Sequence, residues 1–394
     1  MVELVSLALF VVASSVSLFM AWIIGAGSAG ATPFAPAVGA NAISILRAGL
    51  VVGVIAFLGA VVQGESVSSA IGTGLIDGVS LSPVAAVVVL LLAGGLMAAG
   101  ILTGIPIATA FTVTGAVIGI GLALGGTPAW PKYQEIASVW VLTPFIGGGI
   151  AYGLARVLSR EWAPESLSIP VLAATVSAVV ANIEFTLLGG DGGSGSFAST
   201  LGSSLAPLSS HGSLVVTLLF AVVAAALVRL DIRRDEQRAM NRFLLTLGSL
   251  VAFSAGGSQV GLAVGPLLPL FDSMAIPLVA VLVGGGFGIL LGAWMGSPRM
   301  IKSLSQDYSS LGPRRAISAL IPSFLIAQVA VFLGVPVSFN EIVVSAIIGS
   351  GAAITGGAGI SRTKIAKTLG AWVGSFALSL SAGYLLFTIV SMVR

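Results

Sequence analysis

The chain has 394 residues, of which 57% are hydrophobic and only 8% are charged, and its mean hydropathy is +1.11. Soluble domains carry about 25% charged residues, so this composition excludes a soluble protein and predicts an integral membrane protein. The absence of cysteine excludes disulfides, a thiol nucleophile and a thiolate metal site.

The basic sequence, with a pI near 9.5, does not indicate nucleic-acid binding. Its Lys and Arg residues lie in short loops between apolar runs, where the rule that positive residues stay on the cytoplasmic side explains them better. We therefore predict that the protein has no nucleic-acid partner and that it lies in the lipid bilayer. The first apolar run carries Glu3 and is too long for a signal peptide, so we expect it to be a retained span.

Apolar runs long enough to cross a hydrocarbon core of roughly 30 Å recur along the whole chain. They predict an all-α polytopic membrane protein of about twelve transmembrane segments, some of them broken or re-entrant. The predicted spans are 4–38 (interrupted), 44–63, 82–101, 104–126, 139–158, 166–190, 213–230, 241–270 (interrupted), 274–296, 315–333, 334–356 and 369–392.

The distribution of basic residues predicts the orientation. If the N-terminus is extracellular and the spans alternate, all 17 basic residues except Lys132 and Arg394 lie in cytoplasmic loops. This asymmetry predicts a multi-pass protein of the cell membrane with both termini outside.

The sequence repeats itself at a separation of 230 residues. "GIPIATAFTVTGAVIGIGLALGG" from Gly104 matches "GVPVSFNEIVVSAIIGSGAAITGG" from Gly334, and Trp140 pairs with Trp372 at a slightly larger separation. The matching loops 64–81 and 297–314 differ in charge, since only the second contains Arg and Lys, which indicates that the two halves are inverted. We predict a first inverted repeat of five spans over 1–160, a two-span connector with a basic cytoplasmic loop over 161–240, and a second inverted repeat of five spans over 241–394.

Inverted repeats with Gly- and Pro-interrupted segments at matching places are typical of secondary transporters, whose sites lie near the midplane between the repeats. The alternative is that the glycines serve only close helix packing. Two pairs of broken segments stand out: Gly25–Ser44 with Ala255–Pro269, and the segments around Pro106 and Pro336.

Where a helix restarts inside the membrane, its N-terminus offers unpaired N–H groups and a positive dipole to an anion. Hydroxyl and amide side chains beside these breaks are the predicted substrate-binding residues, although Ser and Thr commonly bond to their own helix instead. They are Ser28, Thr32, Ser258 and Gln259 at the first pair, and Thr109, Thr112, Ser338 and Asn340 at the second.

Glu341 is the ionisable residue that the sequence singles out. A charge at bilayer depth costs at least ~2.5 kcal/mol, so a carboxyl kept there suits a coupling group that exchanges a proton. The alternative is that Glu341 sits near the outer end of its span and reaches water. Glu184 is predicted to be solvated or structural, and His211 to be a loop residue.

These motifs resemble those of the PiT-type inorganic phosphate transporters, whose sodium- or proton-coupled members carry in each half a "GANDVANAFGPSVG"-like and a "G-[IVL]-P-[VI]-S-T-T-H"-like segment. Here "GGSQVGLAVGP", from Gly256, lies over the first and "GVPVSFNE" over the second. The chain departs from the pattern at its charged letters, because Ala29 and Gln259 stand where the family has aspartates. The resemblance therefore implies a divergent member with an anion site that lacks these carboxylates.

Together the residues and the resemblance predict a secondary active symporter of inorganic phosphate that works by alternating access. A permease for sulfate or another oxyanion, a passive anion channel and a non-transporting scaffold of the same fold remain alternatives. We expect no enzyme activity and no cofactor. The coupling ion is H⁺ or Na⁺, with H⁺ through Glu341 favoured, and assembly into a homo-oligomer is compatible with the sequence.

Overall fold

A computed structural model describes residues 2–185, 195–204, 211–355 and 360–392, and these are almost entirely helical. The helices are α1 Val2–Gly27, α2 Ala35–Gly39, α3 Ile45–Gln63, α4 Glu65–Thr73, α5 Pro83–Thr103, α6 Thr109–Ala123, α7 Trp130–Leu158, α8 Glu165–Ala181, α9 Phe197–Ser204, α10 Gly212–Arg234, α11 Glu236–Val264, α12 Leu268–Ser273, α13 Leu278–Gln306, α14 Pro313–Phe332, α15 Phe339–Thr355 and α16 Arg362–Met392. A 3-10 turn, Gly265–Leu267, joins α11 to α12.

In the segments that the structure describes, four two-residue strands form two small antiparallel ribbons that the sequence does not predict. β1 Ile76–Asp77 pairs with β2 Thr127–Pro128, and β3 Glu184–Phe185 pairs with β4 Gly195–Ser196. They join connecting segments outside the long helices.

The predicted membrane segments are confirmed as helices. In the described part of the chain, nine helices are long and apolar enough to cross a membrane, and the shorter apolar helices α6, α8 and α15 accompany them. Each of the twelve predicted spans contains one of these helices. The ends of two spans, residues 186–190 and 356, lie outside the described residues.

Two predicted spans, 104–126 and 334–356, begin later as helices than expected. α5 ends one residue before Gly104 and α14 ends two residues before Gly334, and the φ angles of these glycines, +69° and +62°, reverse the chain. The next residues run extended, and α6 and α15 begin only at Thr109 and Phe339. Pro106 and Pro336 lie in these extended stretches and favour them, because proline lacks an N–H and disfavours helix in the preceding residue.

Other helices are longer than predicted. α7 begins at Trp130 rather than 139, α16 begins at Arg362 rather than 369, and α13 continues to Gln306. Their added turns carry Tyr, Glu, Lys and Arg, which lower local hydropathy without disfavouring helix. A hydropathy criterion finds the apolar middle of such a helix and misses its polar ends.

The helices pack in a reciprocal pattern across the two halves of the chain. α6 packs mainly on α16 and α15 on α7, while α1 packs on α13 and α11 on α3. Each of these pairs takes one helix from each half. α8 and α10 pack mainly on each other, and α10 exposes Leu214, Leu218 and Val222 on the surface expected to meet lipid.

The absence of cysteine allows a direct test of the predicted orientation. Ser80 and Arg362 are both exposed and lie in connections predicted to be on opposite sides of the membrane. We expect a membrane-impermeant maleimide added to intact cells to label Ser80→Cys, and to label Arg362→Cys only after permeabilisation. The opposite pattern would reverse the orientation, and labelling of both in intact cells would contradict the twelve-span topology.

Candidate functional site

The extended stretches that precede α6 and α15 lie between helices from opposite halves. The Trp372 Nε1–H donates to the Pro106 carbonyl over 2.8 Å, and the Trp140 Nε1–H donates to the Pro336 carbonyl over 2.9 Å. Prolines and tryptophans thus match in both halves, and each tryptophan holds the proline segment of the other half. The N-termini of α6 and α15 are positioned by these paired bonds.

Three further hydrogen bonds connect the predicted site residues. The Asn340 Nδ2 donates to the Ile107 carbonyl over 2.7 Å, which joins the first turn of α15 to the segment entering α6. The Gln259 Nε2 donates to the Val337 carbonyl over 2.7 Å, and the Ser28 Oγ donates to the Gln259 Oε1 over 3.1 Å. The bonds therefore link the end of α1, the side of α11 and the starts of α6 and α15.

All nine residues singled out by the sequence are buried; the most exposed of them, Glu341, is 2% accessible. Thr109 is the first residue of α6, while Asn340 and Glu341 lie in the first turn of α15. Ser338 directly precedes α15, and its Oγ accepts from the Glu341 N–H over 3.4 Å. The alternative in which Glu341 reaches water at the end of its span does not fit this burial.

The first pair of broken segments differs from expectation. α11 continues through Ser258 and Gln259 to Val264 and is interrupted only at the 3-10 turn, so neither residue lies at the N-terminus of a restarted helix. Ser28 and Thr32 lie in turns between α1 and the five-residue α2. At the first pair the five-residue α2 restarts after the break, whereas at the second pair α6 and α15 begin as half-helices of 15 and 17 residues.

The glycines of α11 account for this difference. A Cβ on Gly256 would lie 1.8 Å from the Ala56 carbonyl oxygen of α3, so the glycine permits direct backbone contact between two continuous helices. In this segment the packing alternative applies. A buried helix with neighbours on all sides tolerates glycines that would weaken an exposed one.

Two of the predicted hydroxyls donate hydrogen bonds to nearby backbone carbonyls of the same segment. The Thr32 Oγ1 donates to the Ser28 carbonyl and the Thr112 Oγ1 donates to the Ala108 carbonyl, each within one turn. Such local bonds are the common fate of threonine at these positions. They leave Thr32 and Thr112 less suited to hold a ligand than the other predicted residues.

Four buried polar atoms at the site have no hydrogen-bond partner among the residues that the structure describes. They are Thr109 Oγ1, Ser258 Oγ, Asn340 Oδ1 and Glu341 Oε2. An unsatisfied buried polar group costs about 1 to 3 kcal/mol, so a cluster of them suggests that a ligand, water or proton completes the set. The four atoms lie on α6, α11 and α15, and two of these three helices, α6 and α15, present their N-termini, which favour negative charge.

The two halves differ at the position of Glu341. Phe111 occupies the matching place in α6, and its ring stacks on Trp140 with 3.9 Å between ring centroids. In the first half this position is therefore taken by an aromatic ring in contact with Trp140. In the second half it is taken by a carboxyl that has one oxygen without a partner. The carboxyl is an addition to the repeat.

A cavity of about 1020 Å³ lies between α3, α4, α8, α10 and α14. Gln63 and Gln328 line it, and the Gln328 Nε2 also donates to the Ser254 Oγ of α11 over 2.6 Å. Gly257, next to Ser258, lies close enough to Gln63 that an added Cβ would meet the Gln63 Cβ at 2.7 Å. The cavity therefore approaches the site from the Phe332 end of α14.

A polar cluster lies towards the opposite end of α14. The Lys364 Nζ donates to the Gly104 carbonyl over 2.8 Å and lies 3.1 Å from the Asp307 Oδ2. Ser303 also donates to the Gly104 carbonyl, over 2.9 Å. The turn that leads into α6 is thereby tied to α13 and α16.

Sequence reasoning missed Gln63, Gln328, Ser254 and the contacts of Lys364. These residues stand on different helices and share no motif, and single amides or lysines in a sequence do not indicate which carbonyl they will meet. Their pairing follows only from helix packing.

Comparisons with known proteins agree with the fold and the motifs. The sequence model of the phosphate transporter family matches residues 11–383. The inorganic phosphate transporter 2-1 of Arabidopsis thaliana chloroplasts is 25% identical over 95% of this chain and 70% of its own length. A candidate phosphate permease of Pyrococcus furiosus is 26% identical over 85% of each chain.

A solved structure of a sodium-dependent phosphate transporter has the same fold. It superposes with a TM-score of 0.81 over 98% of this chain and 100% of the other, at 22% sequence identity. The family and these relatives are transporters, in agreement with the expectation that the protein is not an enzyme. The match spans nearly every helix described above, and the protein belongs to the phosphate transporter family.

Proposed function

We propose that this protein is a secondary active symporter that moves inorganic phosphate across the cell membrane. The observation that carries the proposal is the set of unpartnered buried polar atoms, Thr109 Oγ1, Ser258 Oγ, Asn340 Oδ1 and Glu341 Oε2, at the starts of α6 and α15 and beside them in α11. Helix N-termini and hydroxyls are suited to a phosphate, and the relatives are named for this substrate.

Alternating access would use the two ends of the site in turn. The cavity lined by Gln63 and Gln328 is the proposed outer approach, and the cluster of Lys364, Gly104 and Asp307 is the proposed inner closure. Movement of one repeat, over 1–160, against the other, over 241–394, would exchange the open and closed ends. The α8 and α10 pair within 161–240 would serve as the connector.

Proton coupling through Glu341 is the mechanism we favour. The solved relative is sodium-dependent by name, but the positions where the family pattern has aspartates hold Ala29 and Gln259 here. The Gln259 amide is engaged at both ends, by Ser28 and by the Val337 carbonyl, and it carries no charge for a cation. Glu341 is then the one carboxyl among the predicted site residues.

Uptake of labelled phosphate into liposomes containing the purified protein tests the proposal. We expect saturable accumulation driven by an inward proton gradient, with little response to an inward sodium gradient. Sodium-driven accumulation would replace H⁺ by Na⁺ as the coupling ion. Uptake that neither saturates nor exceeds equilibrium would indicate a channel, and accumulation of sulfate in preference to phosphate would change the substrate.

A further inference from the structure

The amide of Asn340 lies between the first turn of α15 and the segment that enters α6. Its orientation follows from chemistry, because the Ile107 carbonyl can only accept a hydrogen bond and so the Nδ2 must face it, at 2.7 Å. The Oδ1 therefore points away from that carbonyl. Asn340 is 1% exposed, and within the described part of the chain this oxygen has no hydrogen-bond partner.

An amide oxygen is an acceptor and has no proton to donate. It therefore requires a donor, and the Thr109 hydroxyl at the start of α6, which is also without a partner among the described residues, is not bonded to it. The starts of α6 and α15, which the bond from Asn340 to the Ile107 carbonyl joins, thus each carry an open polar group in a buried region. Such an arrangement accommodates a ligand between them that carries its own O–H.

An anion that fits here must combine negative charge with a donor. The N-termini of α6 and α15 favour the charge, whereas the Asn340 oxygen accepts the proton without adding a negative charge of its own. Monohydrogen and dihydrogen phosphate carry a P–OH, whereas sulfate has no proton near neutral pH. An aspartate in place of Asn340 would also accept the proton but would repel the anion.

We propose that Asn340 is the specificity-determining residue that selects protonated oxyanions, accepting the P–OH of phosphate and rejecting sulfate. This inference rests on the proposed function, because it names the form of the substrate bound at the same site. A hydroxyl of Ser or Thr could donate to an unprotonated oxyanion, and a charged group could repel it, whereas the fixed amide oxygen distinguishes ligands by their proton.

Monofluorophosphate provides a sharp probe, because it resembles phosphate in size and shape. At about pH 8, phosphate is mainly the monohydrogen dianion, while monofluorophosphate and sulfate are dianions without a proton. The three differ at the site chiefly by one O–H. Displacement of labelled phosphate from the purified full-length protein in nanodiscs measures their relative affinities.

We expect phosphate and arsenate to displace the label, and monofluorophosphate and sulfate to be about 10- to 100-fold weaker, as expected for one hydrogen bond at a charged group. Asn340→Ser, whose hydroxyl can donate, should lower the ratio of phosphate to monofluorophosphate affinity at least about tenfold. Asn241→Ser removes a partly exposed amide near the start of α11, away from the cavity, and should leave the ratio unchanged.

Comparable binding of all three dianions by the unaltered protein would overturn the selectivity role while leaving phosphate transport intact. An unchanged ratio in a folded Asn340→Ser variant would overturn it as well. If that variant does not fold, the comparison of the three dianions on the unaltered protein still decides the matter. Absence of any phosphate binding would overturn both this inference and the proposed function.

Discussion

Glu341→Gln is expected to abolish proton-driven accumulation of phosphate while leaving phosphate exchange intact. Glutamine has nearly the same shape as the protonated acid and keeps a polar group at the start of α15, but it cannot release a proton. An inward gradient of one pH unit stores about 1.4 kcal/mol per proton, enough for about tenfold accumulation if one proton moves with each phosphate. The variant should lose this factor.

The measurement compares two assays on the same liposomes, uptake against a proton gradient and exchange of labelled for unlabelled phosphate without a gradient. Glu65→Gln and Glu184→Gln are suitable controls, because both carboxyls are exposed and line the cavity. They should retain gradient-driven uptake. Retention of that uptake by Glu341→Gln would exclude the coupling role, and loss of exchange as well would assign Glu341 to substrate binding or folding.

Gly349→Ala is expected to destabilise the protein strongly. A Cβ at Gly349 would lie 2.0 Å from the carbonyl oxygen of Gly148, so α15 and α7 would have to separate at their crossing. Gly119, its match in the first half, approaches the Leu380 carbonyl oxygen of α16 at 2.1 Å. Overpacking of this kind costs typically 1 to 3 kcal/mol, and rigid backbone on both sides leaves little room for adjustment.

Gly149→Ala is a matched control next to that contact. A Cβ at Gly149 would have no neighbour within 4 Å, so the change should be neutral or stabilising by up to about 1 kcal/mol through higher helix propensity. Thermal unfolding of the purified variants measures the difference. We expect lower midpoints for Gly349→Ala and Gly119→Ala only; equal midpoints for all three would mean that these crossings are looser than described.

The site was predictable from sequence to different degrees at its two breaks. Around Pro106 and Pro336 the glycine and proline pattern indicated broken helices, and α6 and α15 indeed begin there. Around Ser258 the same kind of pattern wrongly predicted a broken helix. Glycine can end a helix, but in α11 it allows a neighbouring helix to pack closely against a continuous one. Which of the two occurs depends on the neighbouring helix, here α3 at Ala56.

The roles of polar side chains were less predictable still. Ser28, Gln259 and Asn340 are all buried, but the sequence does not reveal that the two amides donate to the backbone carbonyls of Val337 and Ile107. Those partners are 78 and 233 residues away along the chain. Only the polar side-chain atoms that make no such hydrogen bond are available to bind a ligand.

The sequence alone determined the membrane class, the apolar segments that form the membrane helices and the repeat at 230 residues, because hydropathy and residue matching are properties of the chain itself. Tertiary structure decided where α6 and α15 begin, which polar atoms remain unpartnered, and how the cavity approaches Ser258. These depend on helices of opposite halves meeting, as Trp140 and Trp372 do at Pro336 and Pro106. Contacts between helices that are far apart in the sequence cannot be read from the residue pattern of either helix alone.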